Sequence, residues 1–420
     1  MVIKLYKSNK TIAVMTIIVI MFLAGIIDNN HLEFIALSLG MIAVIVIAKI
    51  SYFSIFSFLM WFCFLQEYFA SINRSLSSGR LLWDRSIPVY YHELYICMAF
   101  FLIAELLIFL TTNVLNNEEK IYKTKTIISE RMANIYSIIA LIIIFLAYPT
   151  IPKVNMLLER DQGIVSSTLF VPIAMLLFSI SIENFKKSNI IKTTIILGII
   201  WVILHGDRVI VMGFLIYAFL KYINGENKSI KNHKSEIFNK KLFISLLVFS
   251  VVAIVCIKVQ FTRMGITYNA EITELLMEIL KQGTAADVVH CFNCATHMWK
   301  TGEGLYGYTY LYYFSNILPS ADQNLSPAMI LMNKYNTLGG GLFFAEPMMN
   351  GGIGLCIIHS IVFILILTWL FRKNTSYRAF LVMPFVILMF RFAWYASLAG
   401  LVKMVLYYMP ILYLVAKKFK

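Results

Sequence analysis

Long apolar stretches follow one another along almost the whole chain, and they constrain its fold more than any other feature. Of the 420 residues, 60% are hydrophobic, more than a soluble domain of this size contains. A helix needs about 20 apolar residues to cross a bilayer, so we predict an all-α polytopic integral membrane protein with about twelve transmembrane helices. These predicted spans cover residues 11–27, 32–50, 52–70, 94–115, 132–150, 165–183, 190–205, 208–223, 242–260, 344–370, 379–395 and 397–416. The spans 190–205 and 208–223 are short, and they would count as one if they formed a single bent segment.

Basic residues in alternate loops set the predicted orientation. They cluster before the first span (Lys4, Lys7 and Lys10) and again at 120–131 and 221–241. Cytoplasmic loops carry an excess of Lys and Arg, so we place both termini in the cytoplasm. The net charge of +14 then reflects orientation and gives no reason to expect a nucleic-acid partner.

Three segments on the outer side are longer than simple turns: 71–93, 149–164 and 261–343. The last is predicted to form a large helical loop between nine spans in 1–260 and three spans in 344–420. Long polar loops often carry function. The first apolar run has no clear small-residue cleavage site, so it is predicted to be a retained span and not a signal peptide.

Three arginines lie at or just inside the outer ends of predicted spans: Arg208, Arg263 and Arg391. Arginine there opposes the usual charge bias and is expensive near hydrocarbon. Outward cations predict an anionic ligand, and a phosphate group fits the guanidinium fork. The alternatives are a local pair between Asp207 and Arg208, an interfacial role for Arg263, and a structural pair of Arg391 with a buried acid.

The sequence also predicts how deep Arg391 lies within the membrane. It follows Arg378 by 13 residues, which would place it about 20 Å along a continuous helix. That position is in the outer half of the bilayer. The structural partner in the alternative interpretation would be Glu105 or Glu67.

Glu346 lies in the glycine-rich stretch 339–354, at the entry to the tenth predicted span. Glycine lets backbones approach closely or lets a ligand lie against them. A carboxylate at the outer membrane edge has two interpretations. It is a general base for a hydroxyl group, or it is the counter-ion of the arginines.

The predicted outer loop also contains His290, Cys291, Cys294 and His297 in the spacing H-C-x-x-C-x-x-H. Three interpretations stay open: an ordinary helix, a Cys291–Cys294 disulfide, and a zinc site. His290 or His297 is a reserve candidate for the general base.

Aromatic and basic residues in two outer segments predict a sugar-binding surface. Tyr308 and Tyr310 belong to a tyrosine-rich stretch that either stacks on sugars or anchors the loop at the interface. Arg80 lies in the segment 71–93, which would line an acceptor groove. No Asp-x-Asp sequence occurs, so a metal-bound nucleotide-sugar site of the common type is unsupported, and we predict no cofactor and no metal at the catalytic site. No P-loop, GxSxG or HExxH sequence occurs either, which disfavours an ATP-driven pump, a serine hydrolase of that type and a zincin.

The order of these motifs resembles that of the Wzy-type O-antigen and capsule repeat-unit polymerases. The resemblance is carried by Gly206-Asp207-Arg208 opening a late span and by a large outer loop that begins Arg263-Met264-Gly265 and contains Leu318-Pro319-Ser320. Its third part is the loop exit 339–354, although here a proline follows Glu346 and Gly-Gly follows Asn350. The similarity covers roughly residues 200–400.

The resemblance implies a GT-C-like glycosyltransferase in a bacterial inner membrane, with its large loop in the periplasm. Its substrate would be an oligosaccharide linked to undecaprenyl pyrophosphate, and a chain-length regulator would be a protein partner. Arg208, Arg263 and Arg391 would bind pyrophosphate without metal, with Glu346 as first-choice base and His290 or Asp207 as further catalytic candidates.

Three rival functions remain open at this stage. An O-antigen ligase would use the same donor with a different acceptor. A lipid-linked oligosaccharide flippase would line a cavity with charges in both membrane halves, whereas here the unexplained cations lie outward. A membrane acyltransferase would need a histidine-centred site, for which His205 is the candidate.

Overall fold

In the computed structural model every regular element is a helix among the residues that the structure describes, which are 2–124, 128–150, 167–205, 207–225, 283–311, 313, 326–337, 340–373, 375–395, 406, 408 and 410. The α-helices are α1 (Val2–Ile27), α2 (Asn30–Ala48), α3 (Tyr52–Ile72), α4 (Gly79–Trp83), α5 (Tyr91–Thr111), α6 (Val114–Lys123), α7 (Glu130–Ala147), α8 (Ser167–Ser181), α9 (Asn189–Leu204), α10 (Arg208–Gly225), α11 (Gly283–Lys300), α12 (Pro327–Tyr335), α13 (Ala345–Leu370), α14 (Ser376–Ile387) and α15 (Met389–Tyr395). The predicted all-α class is confirmed.

Five of these helices are long and apolar enough to cross a membrane, judged by length and composition: α2, α3, α5, α7 and α13. Five shorter apolar segments accompany them: Thr11–Ile27, Phe170–Asn184, Asn189–Leu204, Val209–Asn224 and Tyr377–Ile387. The chain is therefore a helical protein of the multi-pass membrane type. The predicted span 242–260 lies outside the described residues, as does 397–416 apart from three isolated positions.

Local sequence explains where several helices begin. The side chain of Asn29 accepts hydrogen bonds from the backbone N–H groups of His31 and Leu32 at the start of α2. Ser51 forms a reciprocal capping box with Ser54 at the start of α3. These side chains satisfy N–H groups that have no partner within the helix.

The predicted spans 190–205 and 208–223 are two separate helices, α9 and α10. The chain between them leaves helical geometry at His205. The predicted span 379–395 is divided as well, because α14 ends at Ile387 and α15 begins at Met389. Pro384 lies inside α14, and a proline weakens a helix by removing a donor and crowding the preceding turn. The depth predicted for Arg391 assumed one continuous helix, and it stays a prediction.

The chain divides into two compact units. Unit 1 comprises residues 1–117, 273–372 and 391–403, and unit 2 comprises residues 118–272, 373–390 and 404–420. Each unit draws on parts of the chain that are far apart in sequence, so these units cross the boundaries predicted at 260 and 343.

Aromatic rings form much of the core of unit 1. The ring of Phe56 lies 5.0 Å from that of Phe363 and 5.6 Å from that of Phe343, measured between centroids. These rings join α3 to α13 and to the chain that enters it. In unit 2 the backbones of α10 and α14 approach so closely that a Cβ on Gly213 would lie 1.9 Å from the carbonyl oxygen of Ile387.

The described part of the predicted outer loop 261–343 is not a detached domain. Its main element, α11, packs against α3, α4 and α13, all of which belong to unit 1. The segment 71–93, predicted as a loop, contains the short helix α4. Unit 1 thus contains most of the polar residues described next.

Candidate functional site

Glu346 lies in the first turn of α13 and is almost wholly buried, with 1% of its surface exposed. Both carboxylate oxygens accept hydrogen bonds from hydroxyl groups. Oε1 accepts from Thr309 Oγ1 at 2.8 Å, and Oε2 accepts from the Tyr313 hydroxyl. The two hydroxyl donors polarise the carboxylate, and their hydrogen bonds replace those that it would make to water if it were exposed.

Asn350 lies one helical turn beyond Glu346 and completes this arrangement. Its Nδ2 donates to Thr309 Oγ1 at 2.7 Å and to the Glu346 carbonyl at 2.9 Å. Its Oδ1 accepts from the backbone N–H of Gly307 at 3.0 Å. We call Glu346, Asn350, Thr309 and Tyr313 the carboxylate network, and it fastens Gly307, Thr309 and Tyr313 to the start of α13.

The helix is interrupted directly after the carboxylate network. Gly352 adopts φ +63° and ψ −156°, a conformation that residues with a side chain rarely adopt. A Cβ there would also lie 2.5 Å from the Trp299 Nε1 atom of α11. The group that lies close to the backbone at Gly352 is thus the indole side chain of Trp299, neither a second backbone nor a ligand.

Tyrosines lie beside the carboxylate network. The ring of Tyr310 is 6.0 Å from that of Tyr313, and Tyr308 is 49% exposed. Tyr313 itself is 8% exposed. An aromatic surface therefore adjoins the hydroxyl group that contacts Glu346, and sugar rings commonly pack on such surfaces.

A second polar group links α11 to α3 and to the start of α5. Buried Glu67 accepts from Asn293 Nδ2 at 3.1 Å and from the backbone N–H of Tyr90 at 3.1 Å. The Tyr90 hydroxyl lies 2.9 Å from His297 Nδ1, and Lys300 Nζ lies 4.9 Å from the centre of the Tyr90 ring. These contacts hold α11 in place.

His290 is buried in α11, where its Nε2 lies 3.3 Å from Asp84 Oδ2 and 3.5 Å from Cys294 Sγ. Burial lowers the pKa of His290 below its ordinary value of 6.5, and this effect outweighs the neighbouring Asp84 charge, which acts in the opposite direction. The neutral imidazole is therefore the stable form at neutral pH.

The two cysteines of the H-C-x-x-C-x-x-H sequence are free and buried. Burial raises the pKa of Cys291 to about 12 and also raises that of Cys294. His297 is directed to Tyr90, so the four side chains do not converge on one point. The stretch is helical, as the first interpretation expects, and the disulfide interpretation is wrong because both cysteines are free.

The three predicted outward arginines differ in how far the structure describes them. Arg208 is the first residue of α10, in unit 2, and Arg263 lies outside the described residues. Arg391 lies in α15 and is half-buried. The structure therefore places one of the three, Arg391, in the unit that contains Glu346.

The helix of Arg391 lies beside the chain that leads into α13. The backbone N–H of Phe343 donates to the carbonyl of Ala393 at 2.9 Å, and that of Gly341 donates to the carbonyl of Trp394 at 3.2 Å. These main-chain bonds bring α15 alongside the residues that immediately precede Glu346.

Arg80 is half-buried in α4, and its backbone N–H donates to Asp287 Oδ1 of α11 at 2.7 Å. This bond fastens α4 to α11. Arg74 is engaged differently, because its guanidinium donates to the carbonyl of Asp84 at 2.7 Å. Arg74 therefore has a structural role in shaping the segment 71–93.

In unit 2, both ring nitrogens of His205 face main-chain carbonyls, at 2.7 Å from Trp201 O and 2.9 Å from Thr150 O. With both nitrogens engaged, the ring has no lone pair directed at a substrate, which disfavours the acyltransferase interpretation. Asp207 is buried, and the Tyr148 hydroxyl lies 3.5 Å from its Oδ2.

Thr309 was missed by sequence reasoning, and no local signal marks it because its partners are 37 and 41 residues away. The four-residue spacing of Glu346 and Asn350 could have paired them, since such residues share one face of a helix.

Comparison with known protein families, curated proteins and solved structures gives no match to this chain.

Proposed function

We propose that this chain is a membrane glycosyltransferase that polymerises lipid-linked oligosaccharide repeat units. In this proposal about twelve transmembrane helices of a GT-C-like architecture hold the site at the periplasmic face of a bacterial inner membrane. The donor is a glycan on undecaprenyl pyrophosphate, and the acceptor is a second lipid-linked unit. A chain-length regulator is the proposed protein partner.

The carboxylate network is the single observation that carries this proposal. Glu346 is held by Thr309 and Tyr313 at the end of a helix long enough to cross a membrane, beside an aromatic surface. A structural ion pair would need a cation, and the contacts of Glu346 in the described residues come instead from neutral hydroxyl groups. A polarised carboxylate of this kind suits proton transfer from a sugar hydroxyl.

The Tyr313 hydroxyl provides a route for that proton, since a phenol can donate and accept at once. The acceptor hydroxyl gives its proton to the Tyr313 oxygen while the proton of Tyr313 moves to Glu346. The acceptor oxygen then bonds to the anomeric carbon of the donor. The bond from that carbon to the pyrophosphate oxygen breaks, and the pyrophosphate leaves with the electron pair.

The arginines are proposed to stabilise the leaving group. Arg391 lies in the same unit as Glu346, and Arg208 and Arg263 are assigned the same role from their sequence positions. A guanidinium can hold two phosphate oxygens at once and compensates charge that grows as the bond breaks. Arg80, Tyr308 and Tyr310 are proposed to contact the acceptor sugars.

The two other catalytic candidates receive lesser roles. The neutral imidazole of His290 is enclosed by Asp84 and Cys294 and is assigned to the structure of α11. Asp207 neighbours Arg208 in sequence and is proposed to orient the arginine. Glu346 therefore remains the proposed base.

The test compares envelope polysaccharide in a strain lacking the gene, complemented with wild type, Glu346→Gln, Tyr313→Phe or Arg391→Ala. Loss of the polysaccharide ladder with a single repeat unit still transferred is the expected result for Glu346→Gln and Arg391→Ala. Glu303→Gln is the matched control, because Glu303 is an exposed loop carboxylate paired with Lys334. It should restore the full ladder.

The other outcomes separate the rivals. Polymer that accumulates on the carrier lipid but is never transferred would indicate a ligase, and loss of even the single unit would indicate a flippase. A full ladder from the strain lacking the gene would contradict any role in polysaccharide assembly. A full ladder from Glu346→Gln would exclude this carboxylate as the base.

A further inference from the structure

A second cluster of potential ligands lies at the junction of α1, α2 and α5, and it shares no residue with the carboxylate network. It consists of Asp28, Glu33 and His92, and one ligand atom from each lies within 4.8 Å of the others. His92 Nδ1 is 2.5 Å from Glu33 Oε1 and 3.1 Å from Asp28 Oδ1. We propose that these three side chains bind a divalent cation of the zinc class.

The state of Glu33 is the independent observation that points to a ligand. Its side chain is fully buried, at 0% exposure, yet its Oε2 atom has no hydrogen-bond partner. Buried polar atoms are nearly always paired, and an ionised carboxylate without compensation is costly. The same carboxylate contacts His92 through Oε1, so the unpartnered oxygen is on a side chain of this cluster.

Hydrogen bonding from His92 alone cannot provide a partner for every carboxylate oxygen of this cluster. Nδ1 carries at most one hydrogen, but two carboxylate oxygens lie within 3.1 Å of it. That single proton leaves Glu33 Oε2 without a donor. A divalent cation would instead accept lone pairs from the imidazole and from both carboxylates, and its charge of +2 would balance the two acids.

The donor set decides the class of metal. Imidazole suits zinc, copper, iron and nickel, whereas oxygen ligands alone suit magnesium and calcium. One imidazole with two carboxylates and no thiolate favours zinc, with manganese binding more weakly. His92 Nδ1 is closer to each carboxylate oxygen than the roughly 3.3 Å expected between ligands around tetrahedral zinc. The cation would therefore enter with a small opening of the side chains. Asp28 has room for this movement, because its side chain is 66% exposed.

Such a site would have a structural consequence. Asp28 lies between α1 and α2, Glu33 is in the first turn of α2, and His92 is in the first turn of α5. One cation would therefore tie together the ends of three helices. This role does not depend on the glycosyltransferase proposal.

The test uses the full chain in lipid nanodiscs, stripped with a chelator and titrated with Zn²⁺ against a chromophoric competitor. We expect one site per chain, weakened at least tenfold by His92→Ala and by Asp28→Asn. His31→Ala is the matched control, because His31 is a nearby histidine that contacts Tyr68 and not the cluster. It should leave Zn²⁺ affinity unchanged.

X-ray absorption of the zinc-loaded protein gives a second measurement that does not require a variant to fold. The expected first shell contains one nitrogen and otherwise oxygen. A sulfur shell would place the metal on cysteines and overturn the proposal. The proposal would also be overturned if wild type bound no Zn²⁺, if all variants bound it equally, or if His31→Ala lost as much Zn²⁺ affinity as His92→Ala.

Discussion

Replacing Gly352 by alanine should destabilise the protein more than any other glycine substitution in α13. Two separate effects act at this position. The backbone conformation, φ +63° and ψ −156°, is one that residues with a Cβ rarely adopt, and forcing it costs about 1–3 kcal/mol. The new Cβ would lie 2.5 Å from Trp299 Nε1, and overpacking of this kind costs about 1–3 kcal/mol.

The two effects together predict a loss of about 2–6 kcal/mol in the free energy of unfolding. We would measure it in mixed detergent micelles by SDS titration, following helix content by circular dichroism. Trp299→Leu provides the means to separate the effects, because it removes the indole but leaves the backbone conformation unchanged. In that background Gly352→Ala should cost only the backbone part, about 1–3 kcal/mol.

Gly354→Ala is the matched control, two residues further along the same helix. No atom lies within 4 Å of a Cβ at that position, so alanine should be neutral or stabilise by up to about 1 kcal/mol through its higher helix propensity. Equal stabilities for Gly352→Ala and Gly354→Ala would refute the reasoning. If Gly352→Ala cost the same in wild type and in the Trp299→Leu background, the indole contact alone would be refuted.

Two further predictions concern α11. Burial lowers the pKa of His290, so as the pH falls below about 6.5 the unfolded chain binds a proton before the folded chain does. The free energy of unfolding should therefore decline in this range for wild type more than for His290→Gln. Denaturation curves of both proteins between pH 5 and 8 measure this, and an equal decline in the two would contradict it. Asn293→Ala should reduce the free energy of unfolding by about 2–4 kcal/mol, because it leaves buried Glu67 with one donor fewer. Glu303→Gln, which changes an exposed pair, should leave the free energy of unfolding nearly unchanged, and similar losses in the two variants would contradict this.

The helical fold was predictable because each helix carries its own local signals. Apolar length marks the membrane-type helices, and residues such as Asn29 and Ser51 mark where two of them begin. The division of 379–395 was not predicted. Pro384 was available as a signal, but proline is often tolerated in membrane helices, so composition alone does not locate the interruption.

The candidate site was predictable only in part. Glu346 was identified from its place in the glycine-rich stretch, but its donors Thr309 and Tyr313 come from a segment more than 30 residues earlier. Which distant segment packs against a helix depends on tertiary structure. The H-C-x-x-C-x-x-H spacing shows the converse, because His290 contacts Asp84 and Cys294 whereas His297 contacts Tyr90, so metal-type spacing on a helix does not by itself bring the side chains together.

The unpartnered oxygen of Glu33 illustrates a further limit. Asp28 and Glu33 are close in sequence, but His92 is 59 residues beyond Glu33, and nothing in the local pattern connects them. Only the packing of α5 against α2 brings the imidazole to the carboxylate. Clusters of this kind are therefore found from structure and not from spacing.

The attachment of residue 305 to α13 is made by the main chain. The N–H of Leu305 donates to the carbonyl of Met349 at 2.9 Å, next to the interruption at Gly351 and Gly352. Any amino acid except proline can supply that donor. Relatives of this protein could therefore change the side chain at this position freely and still hold the same segment over the same carboxylate, so the geometry of the site can persist after the sequence around it has diverged.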